Sequence, residues 1–159
     1  MRALPDQPLA ERTRRVWKIG AAFESLFLLF IPAGYWGLMQ VWELPSWILY
    51  ALATLFLLTA MFNIFIMQTL KWNRWRYQIY DNEVELMRGV LVKERVIIPM
   101  IRVQHVDTRQ GPIMRHYKLA SVTVSTAATI HEIPGLRTEK ADELRDQIAR
   151  LAREADPDE

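Results

Sequence analysis

The sequence predicts an α+β membrane protein: an N-terminal two-helix transmembrane hairpin, then an antiparallel β barrel or sandwich capped by one C-terminal helix. Three observations predict it. Apolar and charged residues are segregated along the 159-residue chain: positions 19–70 hold only Glu24 and Glu43 and no Lys or Arg, whereas positions 71–159 hold 15 of the 20 basic residues. Two runs in the uncharged block are long enough to cross a bilayer. After Trp72 the apolar period shortens to that of strands, and only the last segment returns to a helical period. Such segregation implies two solvents, lipid for one block and water for the other.

A helix needs about 20 mainly apolar residues to cross a ~30 Å hydrocarbon core. Residues 47–67 supply 21 with no charge, and residues 19–41 supply 23 with a single carboxylate. Core helices of a small soluble domain keep a polar face, and the second run has none. Pro32 predicts a kink in the first span, which membrane helices tolerate. Glu24 lies roughly 7–8 Å beyond the start of that span, shallow enough to lean toward the headgroups. The chain thus divides into a basic N-terminal segment (1–18), the hairpin (19–70), a water-facing β domain (71–153) and a flexible tail (154–159).

Orientation follows from the flanks. Arg12, Arg14, Arg15 and Lys18 precede the first span, Lys71, Arg74 and Arg76 follow the second, and the connecting QVWELPS has neither Lys nor Arg. The positive-inside rule places both termini in the cytoplasm and the short loop outside. The six tryptophans fit this arrangement. Trp17, Trp72 and Trp75 fall near the inner boundary and Trp36, Trp42 and Trp47 near the outer one, where an indole finds both apolar and polar surroundings. Arg14, Arg15, Lys18, Lys71, Arg74 and Arg76 are read as membrane-surface contacts, each contributing ~1 kcal/mol beside an anionic leaflet. A twin-arginine export signal at Thr13–Lys18 is disfavoured, because no A-x-A-like cleavage site follows and a second span does.

In the β domain, Tyr77 and Ile79, then Val84 and Leu86, alternate with polar residues around an Asp81-Asn82 turn. Gly89 precedes VLVKERVII, read as a further strand, and Pro99 separates it from RVQHVDT. Gly111-Pro112 opens PIMRHYKL, a short helix. SVTVSTA turns Val122 and Val124 to one face and Ser121, Thr123 and Ser125 to the other. ATIHEI reads as the last strand, ended by Pro134-Gly135. In TEKADELRDQIARLARE the residues Ala141, Leu144, Ile148 and Leu151 make one apolar stripe, with Thr138 as N-cap. Asp142 with Arg145 and Asp146 with Arg150 make a solvated face. Six or seven short strands and one helix that plugs an open end follow from this pattern.

The stretch RVIIPMIRVQHVDTRQGPIMRHYKLASVTVSTAATIHEIPGL resembles the bacterial pleckstrin-homology domains of the YdbS-like membrane proteins, its most specific part being Arg102-Val103-Gln104-His105-Val106-Asp107 with Gly111-Pro112. The resemblance covers about residues 12–153. It implies a pleckstrin-homology-like fold behind a twin-helix anchor in the bacterial plasma membrane. It also implies a protein partner carrying such domains, or self-association.

No constellation points to catalysis. His105 and Asp107 share a strand face, with His116 and His131 elsewhere, but a zinc site needs three or four ligands at closer spacing. Packing and turn hydrogen bonds account for Gln104, His105 and Asp107 more simply. Ser121 and Ser125 lack a Gly-x-Ser-x-Gly elbow, and no glycine-rich phosphate loop occurs. Neither an enzyme nor a cofactor nor a small-molecule substrate is indicated. A net charge near +1 over residues 71–159 argues against nucleic acid. The absence of cysteine rules out disulfides. Two functions remain: a membrane-tethered interaction module, or a sensor of anionic membrane lipids. The acidic Asp81-Asn82-Glu83 turn disfavours a phosphate clamp at the first strand–turn–strand.

Overall fold

The computed structural model describes residues 5–155, which divide into two units: residues 17–69, and a unit that joins the N-terminal residues through Val16 with those from Leu70 onward. The first is helical. Helices α1 (Glu11–Leu28) and α2 (Phe30–Met39) follow one another, as do α3 (Ser46–Met61), a π-helical turn at Phe62–Met67 and α4 (Gln68–Arg74). The resulting stretches, Glu11–Met39 and Ser46–Arg74, have 29 residues each, about 43 Å of helix and more than the hydrocarbon core requires. Only 6% of the most apolar part of Ser46–Arg74 is buried inside the protein. A core helix of a soluble domain would be mostly covered. Phe27, Phe30, Tyr50 and Leu58 instead stand exposed, which suits lipid as the solvent.

The hydrogen bonds of this unit follow from that solvent. The hydroxyls of Ser25, Thr54, Thr59 and Thr69 each donate to the carbonyl four residues earlier, so these four groups are satisfied within their own helices. The interruption between α1 and α2 lies at Leu29, one turn before Pro32: the ring nitrogen has no proton for the Leu28 carbonyl, and Leu29 turns back to Leu26 at 3.2 Å. In the π-helical turn, Gln68 Nε2 donates to Asn63 Oδ1 at 3.1 Å. A five-residue offset brings two side chains face to face only where the helix is widened. Tyr35 donates to the Pro45 carbonyl at 3.0 Å and so ties down the connecting loop.

The second unit is a sandwich of two antiparallel sheets. One has the order β1 (Gln7–Pro8), β2 (Arg76–Ile79), β3 (Glu83–Arg88), β4 (Glu94–Pro99); the other runs β5 (Val103–Arg109), β6 (Leu119–Thr126), β7 (Ile130–Arg137). A 3₁₀ turn, Met100–Arg102, links the sheets. Helix α5 (Pro112–His116), with Pro112 in its first turn, bridges β5 and β6. The inward residues Val84, Leu86, Ile98, Val122, Val124 and Ile133 are buried. Helix α6 (Thr138–Ala155) packs on β5, β6 and the 3₁₀ turn, and all four stripe residues, Ala141, Leu144, Ile148 and Leu151, are buried beneath it. Arg145 bonds Thr108 at 3.2 Å and pairs with both Asp142 and Asp146, so Arg150 turns to Glu154 instead.

Several features depart from the sequence reading. Residues 5–16 belong to the β domain: β1 pairs with β2, Leu9 is buried, and Thr13 donates to the Gly135 carbonyl at 2.6 Å. The last strand does not end at Pro134-Gly135 but runs to Arg137. Opposite the single Ser121, β7 places two residues, Pro134 and Gly135, between the pairs Ala120↔Leu136 and Val122↔Ile133. That is a β-bulge, where proline's missing N–H costs no ladder bond and Gly135 supplies φ +63°. VLVKERVII is a strand only from Glu94 onward; Gly89, at φ +106°, turns the chain so that residues 89–93 form the β3–β4 hairpin tip. Thr138 begins α6, and its hydroxyl accepts from Gln110 at 3.3 Å. Glu85 is 1% exposed and bonds Arg95, its diagonal neighbour on β4. That bond raises the Arg95 guanidinium above its ordinary range.

Candidate functional site

The cations singled out from sequence do not act as one group. Arg14 lies over the Trp72 ring at 5.8 Å, and Trp72 Nε1 donates to the Ala10 carbonyl at 3.0 Å. Lys18 lies over the Phe65 ring at 5.1 Å. Arg15 and Lys71 are exposed. Trp75, expected at the membrane boundary, is instead 7% exposed within the β domain, because the chain enters β2 directly after it.

Arg74 and Arg76 do converge. They line a cleft of about 290 Å³ with Arg88 and Lys93, two cations that sequence reasoning passed over, and with the single carboxylate Asp6. Local geometry explains the meeting. Arg74 ends α4, Arg76 opens β2, and the β2–β3 register sets Arg76 opposite Met87, next to Arg88 at the end of β3. The tight turn at Gly89 then returns Lys93 to the same place; a Cβ on Gly89 would overlap the Val92 carbonyl oxygen. Arg88 grips Glu94 with two bonds, Nε–Oε2 at 2.8 Å and Nη2–Oε1 at 3.2 Å, and holds that carboxyl below its usual range. The tip beyond them is aliphatic: Leu91 is 94% exposed and Val92 79%. An aliphatic triplet following a glycine and flanked by Arg88 and Lys93 was the available signal, hidden because the same residues also favour strands.

A second cleft, of about 810 Å³, opens at the far end of β4, among Ile97, Pro99, Ile101, Arg102, His105 and the β6–β7 turn. The β4 strand has β3 on one side and no strand on the other, so its outer edge is open among the described residues. Ile97 and Ile101 are exposed on this cleft. Gln104, His105 and Asp107 are exposed too, which corrects the expectation that packing accounts for them. His105 Nδ1 donates to the Gln104 carbonyl at 2.5 Å, since a carbonyl can only accept. His131 bonds Thr129 at 2.9 Å, and His116 stacks edge-on against Tyr117. The three histidines are therefore engaged separately. Among the described residues no group of three or more His, Asp or Glu side chains is placed to hold a metal ion. Ser121 and Ser125 share the face of β6 opposite Val122 and Val124, paired across from Arg109 and His105, and Ser121 is buried there.

This sandwich with its capping helix coincides with a known family. The model of the bacterial PH domain matches residues 25–152, which takes in most of the chain. The chain belongs to the bacterial PH domain family. Two proteins of Bacillus subtilis (strain 168) are similar to it. The UPF0699 transmembrane protein YdbS is 40% identical over 158 residues, covering 99% of both chains. The UPF0699 transmembrane protein YdbT is 26% identical over 83 residues, which is 50% of this chain and 17% of that one. No solved structure matches the chain. With two long apolar helices and a full-length transmembrane relative, this bacterial PH domain protein is a membrane protein.

Proposed function

We propose that the chain is a membrane-tethered interaction module without catalysis. Its hairpin crosses the plasma membrane twice, its termini lie in the cytoplasm, and its PH domain assembles there with another PH-domain membrane protein. The observation that carries this reading is the cleft beside the open β4 edge, where Ile97 and Ile101 stand exposed among polar side chains. Exposed isoleucines on a water-facing domain are costly unless a partner covers them. An unpaired strand edge also offers N–H and C=O groups for an added strand. The partial similarity to the longer YdbT supports a partner of that kind, one carrying a related segment within a larger chain.

Co-purification from detergent-solubilised membranes tests this. A tagged full-length chain co-expressed with a YdbT-like protein should retain it. Ile101→Asp or Ile97→Asp should lower recovery about tenfold or more, the loss expected when an apolar anchor in an interface is replaced by a charge. Recovery unchanged by both substitutions would remove the cleft from the interface, and failure of the native chain to retain any PH-domain protein would contradict the reading.

A further inference from the structure

The cationic cleft and the hairpin tip beside it lie at the other end of β4 from the partner cleft. Strands β3 and β4 pair along their full lengths, Glu83↔Pro99 through Arg88↔Glu94, and the tip closes the end away from Ile97–Pro99. Two features stand together there. Four cations, Arg74, Arg76, Arg88 and Lys93, line a shared cleft whose lining includes one carboxylate, Asp6; Arg88 is already paired with Glu94, and Arg76 donates to the Trp75 carbonyl at 2.8 Å. The most exposed large aliphatic side chain of the β domain, Leu91 at 94%, stands between two of them in sequence, with Val92 at 79% beside it. In water such a tip has nothing to bury against.

The chain path supplies the solvent. Residues 47–67 carry no charge, and Arg74 follows Met67 by seven residues, about 10 Å of helix. Headgroups extend roughly 5–8 Å beyond the hydrocarbon on each side, so Arg74 falls at their outer edge. Aliphatic side chains flanked by cations are the pattern that enters a membrane interface, apolar atoms toward the acyl chains and charges at the phosphates.

We propose that Arg74, Arg76 and Lys93 bind the phosphate of an anionic phospholipid in the leaflet from which the second span emerges, with Arg88 held by Glu94 in the cleft wall, while Val90-Leu91-Val92 enters that leaflet. Arginine forks match phosphate oxygens in pairs, and Lys93 adds a mobile point charge. The contact uses the β3–β4 hairpin and leaves the acidic Asp81-Asn82-Glu83 turn outside it. It goes beyond the partner-binding reading and does not rest on it, because the two clefts share no residue.

The chain lacks cysteine, so single thiols can be placed at will. Full-length protein carrying Leu91→Cys, or Ala128→Cys in the exposed β6–β7 turn, is labelled with an environment-sensitive dye and reconstituted into nanodiscs with lipid-borne quenchers. One set contains phosphatidylcholine alone and the other an equal mixture with phosphatidylglycerol. The dye at 91 should be quenched strongly in the mixture and weakly in phosphatidylcholine, and the dye at 128 in neither. Adding Arg74→Gln and Lys93→Gln, both at exposed positions, should reduce the docked population about fivefold per charge. Unchanged circular dichroism would show that the fold survives. A dye at 91 that remains in water in both sets, or is quenched equally whatever the lipid charge and whatever the residues at 74 and 93, overturns the proposal.

Discussion

Ile148→Asp is expected to unfold the PH domain. Ile148 is fully buried at the centre of the α6 stripe, between Leu144 and Leu151. An unpaired carboxylate placed there loses its hydration and meets only apolar neighbours, at a cost of several kcal/mol. A domain of this size is stable by about 5–15 kcal/mol in total. The volume-conserving Ile148→Leu should cost less than about 1.5 kcal/mol and serves as the control. The full chain in detergent is the proper object, because residues 5–16 form part of the domain and a fragment beginning at Lys71 would lack them. Thermal melting followed by limited proteolysis should show the domain cleaved in the Asp variant and resistant in the Leu variant. Equal resistance of both would mean that the stripe faces something other than this core.

Gly135→Ala should strongly destabilise the PH domain. Gly135 holds φ +63°, where an L side chain costs roughly 1–2 kcal/mol, and the added Cβ would overlap Cγ2 and Oγ1 of Thr13. Thr13 is branched at Cβ and 1% exposed, so it has no free rotamer into which to retreat. Overpacking adds about 1–3 kcal/mol, for a total near 2–5 kcal/mol. The Gly135 carbonyl also accepts from Ala10 N at 3.1 Å and from the Thr13 hydroxyl, so residues 5–16 should loosen first. Hydrogen exchange should accordingly rise at Ala10 and Thr13 before it rises in β6. A melt and an exchange profile identical to those of the native chain would show that the bulge does not anchor the N-terminal segment.

Much of this architecture was legible because it rests on periodicity. Lipid imposes a long uncharged run, so residues 47–67 stand out, and a helix capping one end of a sandwich needs one narrow stripe, which Ala141, Leu144, Ile148 and Leu151 provide. What stayed hidden was set by single residues or by distant pairing. A two-residue strand at Gln7–Pro8 has no period, and its partner β2 lies almost seventy residues away. Val90-Leu91-Val92 has the composition of a strand, yet the φ of Gly89 makes it a hairpin tip. Pro134-Gly135 reads as a terminator, yet a bulge absorbs both. Alternation would put Glu85 in water, yet it is buried and bonded to Arg95, its diagonal neighbour on β4. The same limits governed the site: Arg74 and Arg76 were visible beside a span, whereas Arg88 and Lys93 join them only through the register of a hairpin.

The proposed partner assembly requires the PH domain on the cytoplasmic side, and labelling of single cysteines in intact cells tests that placement directly. Ser46 is exposed at the start of α3, in the loop expected outside, and Ala128 is exposed on the PH domain. With a membrane-impermeant maleimide, Ser46→Cys should react in intact cells and Ala128→Cys only after permeabilisation. Protection of the thiol at 46 together with labelling of the thiol at 128 from outside would invert the topology and contradict the account.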